Sequence, residues 1–331
     1  MNKFIKNLPK VELHCHLDGS VPINTLKKFS ENSKLIDQVA IKNSCKDLKE
    51  YLKSFDIILR YLQTKENLSI ATYDIIKSLQ EDKVEYIELR FAPLLHMDKG
   101  LSIEDVIESV SIGLDRAKKD FSTYVNLIIC CMRHHEENQN LKLIKEIIKI
   151  NNKYVKAFDF AGYEGKEANK KLKTLIEYIK NAGYFLTIHS GETGFIENVY
   201  DAINFNAQRI GHGLVAAKDD KLLDLSLKEN IHYEFSIKSN YQTGAIKDYK
   251  EFPLEKFIDK NISFSINTDN RTVSFTNLNE ELERITEIFN LDINKLIEIQ
   301  KNSIISSFGE DYQKNKIIKD LDFYKKSINN L

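Results

Sequence analysis

Residues 11–19 read VELHCHLDG, a short apolar run that contains two histidines one residue apart. Alternate side chains of a strand point to the same face, so His14 and His16 would project together while Cys15 faces away from them. Imidazole is a ligand that zinc, iron and nickel accept. The stretch therefore predicts a first strand whose C-terminal end offers two ligands to one metal ion.

Seven further β-rich apolar runs follow, mostly separated by longer amphipathic segments. The eight predicted strands are Val11–Leu17, Val84–Ala92, Val125–Cys131, Tyr154–Ala161, Tyr184–His189, Arg209–His212, His232–Ser236 and Ser263–Asn267. This alternation predicts an α/β fold, a (β/α)8 TIM barrel. A doubly wound open sheet is the alternative, but no G-x-G-x-x-G follows a strand, which weakens it.

The 331 residues are long enough for two domains, yet barrels of this length form one, and we expect a single domain over residues 1–331. Residues from about 21 to 80 separate the first two strands and read as several helices. They predict a helical insertion over the C-terminal end of the first strand. Residues from about 278 to 331 predict terminal helices that close the barrel.

The composition excludes several classes of protein. A net charge of −1 gives no basic field for nucleic acid, and the chain is 42% hydrophobic and 29% charged, as globular enzymes are. No apolar run is long enough to span a membrane, and the N-terminus lacks the apolar core of a secretory signal. The four cysteines form no CxxC pair, which is typical of a reducing compartment, so we expect a cytoplasmic protein.

Polar residues follow five of the predicted strands, at the end where barrel enzymes place their active sites. They include His14, His16, His189, His212 and Asp269. A catalytic zinc takes nitrogen and oxygen ligands and keeps one position for water. The sequence therefore predicts that one zinc ion is held by His14, His16, His189 and Asp269.

Two further residues have predicted catalytic roles beside that metal. Glu192 lies three residues after His189 and is the natural proton carrier, and His212 can orient the attacking water and stabilise charge, as can Asp269. Taken singly, these residues also fit purely structural roles on a polar strand face, at a helix N-cap or as a carboxylate at a helix N-terminus. Their convergence favours a site. For the remaining histidines we expect surface or supporting roles; they are His96, His134, His135 and His232.

Four segments carry a resemblance to a known family: LHCHLDGS at 13–20, HSGE at 189–192, RIGHG at 209–213 and SINTD at 265–269. They resemble the signatures of the adenosine deaminase family, within the metal-dependent amidohydrolase barrels, and the match covers nearly the whole chain. The resemblance implies a zinc-dependent hydrolase of purine salvage. It would convert adenosine and 2′-deoxyadenosine to inosine and 2′-deoxyinosine, with release of ammonia.

The resemblance also implies roles for single residues. Glu192 would protonate the purine N1 while His212 and Asp269 hold the nucleophile at C6. The substrate-binding residues would be Asp18, which accepts from a ribose hydroxyl, Gly162, whose backbone N–H meets N3, Asn270, which faces N7, and His16. Three residues of the insertion resemble the family's apolar gate over the ribose, although packing in a helix core explains them equally well; they are Tyr51, Leu52 and Phe55.

The chain departs from the family at three places. Asn270 stands where many members carry an aspartate, and its amide donates to N7 without a pKa shift. Ser236 and Ile237 stand where relatives usually read Cys-Pro, which leaves the shape of the loop after the seventh strand open. Ser190 replaces a common alanine beside His189.

Other functions remain open at this point. The same chemistry could act on adenine, AMP or an adenosine derivative, although adenine-specific relatives tend to carry Glu in place of Asp18, and AMP needs a basic cluster for its phosphate. A two-metal hydrolase would need a lysine after the fourth strand, where residues 160–162 read FAG. A non-catalytic purine-binding barrel is the remaining alternative. We expect a small-molecule purine nucleoside as the partner, and a monomer or small homo-oligomer.

Overall fold

The computed structural model describes residues 3–30, 34, 38–41 and 43–329. Eight parallel strands form one sheet there, in which each strand pairs with the next in chain order. The strands are β1 (Lys10–His16), β2 (Val84–Phe91), β3 (Tyr124–Met132), β4 (Val155–Ala161), β5 (Phe185–Ser190), β6 (Arg209–His212), β7 (His232–Phe235) and β8 (Phe264–Ile266). The predicted barrel is confirmed, and every predicted strand end lies within one residue of the observed one.

The barrel closes where the end of β8 meets β1, through an isolated parallel bridge rather than a full ladder. The backbone N–H of His16 donates to the Asp269 carbonyl at 2.7 Å, and the Asp269 N–H donates to the His14 carbonyl at 2.9 Å. Below the bridge a side chain replaces the ladder, since Glu12 accepts from the Thr268 N–H at 2.9 Å. This closure places Asp269 directly beside both histidines of the first strand.

Helices follow the strands and cover the outside of the barrel. The described α-helices are Lys3–Asn7, Leu17–Ser20, Ile23–Phe29, Leu48–Leu59, Lys65–Ser78, Ile103–Asp120, Glu137–Ile150, Lys173–Asn181, Ile196–Asn204, Asp220–Lys228, Ile237–Gln242, Leu254–Asp259, Leu278–Phe289, Ile293–Ile305 and Asp311–Asn329. Side-chain caps fix where several of them begin. Ser102 and Asp105 form a reciprocal capping box, and Asp47 and Thr64 cap the two longest helices of the insertion. None of the described helices is long and apolar enough to cross a membrane.

The helical insertion after the first strand is confirmed, although residues 31–33, 35–37 and 42 of the predicted range lie outside the described part. Its helix Leu48–Leu59, which we call the lid helix, contributes several side chains to a cavity at the C-terminal end of the barrel. At the other end of the chain, the helix Ile293–Ile305 supports the seam, because Gln300 accepts from the Val11 N–H at 2.8 Å.

The barrel interior contains a layer of buried charges. Arg90 donates to Asp159 at 2.9 Å and to Glu234 at 2.7 Å. Arg209 donates to Glu234 at 2.7 Å and also pairs with Glu88. All five side chains are fully buried, and removing one partner of such a pair typically costs about 3–5 kcal/mol. The layer directly contacts the histidines at the end of the barrel.

Candidate active site

The four predicted metal ligands come together at the C-terminal end of the barrel. One ligand atom from each of His14, His16, His189 and Asp269 lies within 4.8 Å of the others. Nε2 of His16 is 3.3 Å from Nε2 of His189, and Asp269 Oδ1 is 3.3 Å from Nε2 of His14 and 3.4 Å from Nε2 of His16. Residues from β1, β5 and the loop after β8 thus form a single group that could hold a metal ion.

Buried carboxylates orient two of these imidazoles from behind. His14 Nδ1 lies 2.8 Å from Glu234, and His189 Nδ1 lies 2.9 Å from Asp159. Burial alone would raise the pKa of Glu234, but Arg90 and its neighbours hold that pKa well below its usual value. An ionised carboxylate accepts the Nδ1–H, so the proton of each imidazole sits on Nδ1 and Nε2 presents a lone pair.

The donor set fits a cation. His14 Nε2 is buried and has no hydrogen-bond partner in the described part of the chain. Burial lowers the pKa of His16 well below its usual value, so this ring is neutral. Three imidazole lone pairs and the carboxylate of Asp269 therefore face one point, and without a positive charge between them they would repel each other. Nitrogen and oxygen donors in this number match a catalytic zinc-type site.

Glu192 and His212 lie beside this cluster and share one neighbour. Asn240 donates to Nδ1 of His212 at 3.0 Å and to Oε1 of Glu192 at 3.3 Å, and Thr243 donates to the same Oε1 at 3.0 Å. Because its Nδ1 accepts, neutral His212 carries its proton on Nε2, 3.7 Å from Oε2 of Glu192. The oxygen Oε2 is left for a proton of its own or for a ligand.

The loop that carries Glu192 is held by a carboxylate that the sequence analysis did not single out. Glu164, which is buried after β4, accepts from the backbone N–H groups of Gly191, Glu192 and Thr193 at 2.7, 3.1 and 3.3 Å. Asn198 donates to it as well, at 2.9 Å. Three consecutive N–H groups on one carboxylate fix the loop and with it the start of the Glu192 side chain.

Backbone strain coincides with two of these positions. His212 has φ of 62° and Asp269 has φ of 60°, a left-handed conformation that side chains other than glycine avoid. Such residues cost of order 1–3 kcal/mol and cluster at active sites. The backbone conformation of these two residues is thus consistent with a functional site, where the placement of a side chain is maintained at a cost in stability.

A cavity of about 240 Å³ lies against the cluster. The barrel contributes His16, Asp18, Gly162, His189, Glu192, His212, Asp269 and Asn270, and the lid helix contributes Leu48, Tyr51, Leu52, Phe55, Asp56 and Leu59. Every predicted site residue except His14 lines this cavity; His14 lies beneath it. No lysine or arginine of the described residues lines it.

Asp18 and Gly162 have distinct local environments in this cavity. Burial raises the pKa of Asp18 to about 6, and its Oδ1 has no partner among the described residues. Gly162 has φ of +91°, a conformation that is strained for a residue with a side chain. The residue after β4 is therefore a glycine, which presents backbone to the cavity. A larger depression of about 550 Å³ lies between the helices Lys3–Asn7 and Asp311–Asn329, and none of the described residues that line it is a histidine.

The departures from the family pattern are accommodated in the structure. Helix Ile237–Gln242 begins directly after Ser236, and its Ser239 donates to Asp269 Oδ2 at 2.6 Å. The same helix carries Asn240. With Ser236 and Ile237 in place of Cys-Pro, this segment therefore still supplies hydrogen bonds to both Asp269 and Glu192. Ser190 accepts from Asn169 at 2.8 Å, away from the cavity.

The histidines expected in surface or supporting roles do not belong to the donor cluster, and two of them are buried rather than on the surface. His96 and His232 are buried, each with Nδ1 on a neighbouring oxygen, at 3.0 Å from the Leu62 carbonyl and 2.8 Å from Ser263. His134 also lines the cavity, near Gly162. Sequence reasoning missed Asp159, Glu234 and Arg90, whose signal was a charged residue in the middle of each apolar strand.

Comparisons with known proteins agree with this geometry. A family model described as adenosine deaminase matches residues 9–324. An adenosine deaminase of Clostridium perfringens is 37% identical over 322 residues, which are 94% of this chain and 97% of the relative.

Solved structures share the fold. An adenine deaminase from Arthrobacter aurescens has a TM-score of 0.90 at 19% identity and covers 96% of this chain and 99% of its own. An amidohydrolase from Burkholderia ambifaria with bound Zn has a TM-score of 0.90 at 20% identity, with coverage of 99% and 94%. The N6-methyl-AMP deaminase from Arabidopsis thaliana has a TM-score of 0.85 at 22% identity, with coverage of 97% and 98%.

Proposed function

The chain belongs to the adenosine deaminase family, and we propose that it hydrolyses adenosine and 2′-deoxyadenosine to inosine and 2′-deoxyinosine, with release of ammonia. The single observation that carries the proposal is the cavity in which Glu192, His212 and Asp269 meet the histidine cluster. Hydrolytic deamination of an aromatic ring needs a proton carrier, an imidazole that orients water and a set of metal donors, all at one cavity.

We propose that His14, His16, His189 and Asp269 hold one zinc ion. The nitrogen and oxygen donors, the unpartnered His14 Nε2 and the zinc bound to a structural neighbour support this choice. When bound there, zinc lowers the pKa of water toward neutrality and so supplies a nucleophile.

Glu192 would donate a proton to the purine N1. Its Oε1 already accepts from Asn240 and Thr243, so the proton belongs on Oε2, the oxygen without such a donor. Protonation at N1 draws electrons from C6 and prepares it for attack. As the C6–O bond forms, the ring nitrogen keeps that proton. The C6–N6 bond then breaks as C6 becomes a carbonyl. One proton of the attacking water goes to the amine, which leaves as ammonia, and the other restores the proton of Glu192.

His212 and Asp269 would hold the attacking water. His212 carries its proton on Nε2, because Nδ1 accepts from Asn240, so the ring donates to the oxygen that gains negative charge. Asp269 accepts a proton of the water, and Ser239 on its Oδ2 keeps the carboxylate oriented. The two residues would thus contact the same water, one as donor and one as acceptor.

Substrate recognition would use the polar residues of the cavity. Asp18 has an unpartnered oxygen that can accept from a ribose hydroxyl, with His16 beside it. The Gly162 backbone N–H would meet N3, and the Asn270 amide would meet N7. Leu52 and Phe55 of the lid helix would cover the ribose. We also propose a cytoplasmic monomer or small homo-oligomer; its four cysteines, all described, form no disulfide.

Another aminopurine substrate is the alternative, since adenine deaminase and N6-methyl-AMP deaminase are among the structural neighbours. A nucleoside is favoured over a nucleotide because the described cavity lining includes Asp18 and Asp56 but no lysine or arginine to pair with phosphate. A non-catalytic barrel is disfavoured because the proton carrier and all four donors are in place.

The test is to add adenosine to the purified, zinc-loaded protein and follow the ultraviolet change to inosine, with adenine and AMP in parallel. Loss of adenosine alone supports the proposal. Turnover of adenine or AMP in its place keeps the mechanism and replaces the substrate. No turnover of any of the three, with zinc bound, contradicts the proposed function.

A further inference from the structure

A hydrogen-bond chain connects the lid helix to the loop after β8. Asn270 Nδ2 donates to the Tyr51 hydroxyl at 3.0 Å, and that hydroxyl lies 2.7 Å from Ser274 Oγ. Tyr51 is 1% exposed and Asn270 2%. Both line the cavity, so a buried phenol of the lid contacts the residue proposed to meet the purine N7.

The Tyr51 phenol is the hydrogen-bond partner that the described residues give to the Asn270 amide. Its oxygen accepts from Nδ2, and its single proton is then left for a serine hydroxyl, that of Ser274 at 2.7 Å or that of Ser239. The amide oxygen turns the other way, against Gly19, where a Cβ would lie only 1.9 Å from it. That oxygen is buried without a hydrogen-bond partner among the described residues, so no other group selects this orientation.

The orientation decides what Asn270 can recognise. An amide nitrogen carries two protons, and Tyr51 is the one acceptor that the described residues give to them. The second N–H is therefore available to an acceptor on a ligand. In the opposite orientation the amide would present its oxygen, which repels an acceptor such as a purine N7.

We propose that Tyr51 is a positioning residue for purine specificity: it holds the Asn270 amide with its N–H toward the ligand, so that the cavity selects purines with an acceptor at position 7. This inference rests on the proposed function. Aspartate at position 270 would need a proton to donate, whereas asparagine needs an orienting neighbour, and Tyr51 supplies it.

The test compares two ligands that differ at one atom. 1-Deazaadenosine has nitrogen at position 7 and 1,7-dideazaadenosine has C–H there; both lack N1, so Glu192 cannot start turnover and binding can be measured by calorimetry. The wild-type, zinc-loaded protein should bind the first roughly three- to tenfold more tightly, as one net hydrogen bond provides. Tyr51→Phe should reduce this preference to less than about twofold.

Three further variants make the result specific. Asn270→Ala should abolish the preference, and adding Tyr51→Phe to it should change the preference no further. Ser274→Ala removes one of the two serine hydroxyls that contact the phenol and should weaken the preference, which tests the same chain without a change at Tyr51. Tyr233→Phe, which removes a buried phenol that contacts Ser226 at 2.7 Å, should leave the preference intact.

The outcomes separate the two proposals. A preference that survives in Tyr51→Phe overturns the positioning role, as does a wild-type protein that binds both ligands equally; in either case deamination of adenosine would still support the function. A wild-type protein that binds neither ligand nor adenosine overturns the proposed function, and the role of Tyr51 with it.

Discussion

On the barrel side of the cavity, His14 and His189 each have a buried carboxylate behind the ring, and Arg90 joins the two carboxylates. On the lid side, Leu52 and Phe55 meet the cavity with side chains that have no hydrogen-bonding groups. The barrel side is fixed by charge and the lid side by packing. We infer that the barrel side sets the chemistry and the polar contacts with the substrate, and that the lid side adds apolar affinity, with Tyr51 as the lid residue that reaches across.

The largest effect is expected where a metal donor is removed. His189→Ala leaves three of the four donors, and the loss of metal affinity should exceed the roughly 10–100-fold that changes behind a ligand cause. Metal content after dialysis, measured by mass spectrometry, should fall to background and activity should fall with it. His232→Ala, which removes a buried histidine outside the cluster, should keep its metal. Full occupancy in His189→Ala would place the metal elsewhere.

The next effect concerns proton transfer without loss of metal. Glu192→Gln keeps the shape of the side chain and the hydrogen bonds from Thr243 and Asn240 but cannot transfer a proton to N1, so turnover of adenosine should fall about 10²–10⁴-fold. Metal content and melting temperature should remain those of the wild type. Glu197→Gln, outside the cavity, serves as the control for loss of one carboxylate. Near wild-type turnover in Glu192→Gln would refute the proton-carrier role.

A smaller effect should follow from the carboxylate behind a donor. Asp159→Asn keeps the size of the side chain but weakens its hold on His189 Nδ1, so metal affinity should fall about 10–100-fold, as measured by competition with a chelator. Asp115→Asn, at an exposed pair with Lys153, is the matched control. If both variants hold the metal equally, the buried charge layer serves stability alone, and the buried carboxylates do not support the metal donors on the barrel side.

Much of the barrel side could be predicted from the sequence. Short β-rich apolar runs predicted the strand ends to within one residue. Parallel strands bring their C-terminal ends together, so the polar residues at the ends of five strands were expected to meet. Asp269 reaches His14 and His16 because the seam between β8 and β1 closes at that point. A motif at a strand end consists of neighbouring residues, so it can be recognised in the sequence without knowledge of the fold.

The supporting residues were harder to predict because their partners are distant in the chain. Glu164 holds a loop 27–29 residues further on, and Arg90 meets Glu234 across 144 residues. A charged residue in an apolar strand signals burial with a partner but does not name the partner. The same holds for Tyr51: the family resemblance suggested an apolar gate, and only the fold brings its hydroxyl to Asn270.

The smallest effect is expected on the lid side. Phe55→Ala removes an aromatic side chain that lines the cavity and leaves the metal cluster untouched. Partial burial of a ring of this size against a ligand contributes of order 1–2 kcal/mol, so KM for adenosine should rise about tenfold while kcat changes less than about twofold. Steady-state kinetics over a range of adenosine concentrations measures both constants.

The control for Phe55→Ala decides between a gate and a helix core. Phe121→Ala removes a half-buried ring that packs on Tyr73, away from the cavity, and should lower the melting temperature without a change in KM. If Phe55→Ala behaves in the same way, the ring serves helix packing and the lid side contributes nothing through it to affinity. If instead kcat falls as far as it does in Glu192→Gln, the lid takes part in the chemistry, and the division between the two sides of the cavity is wrong.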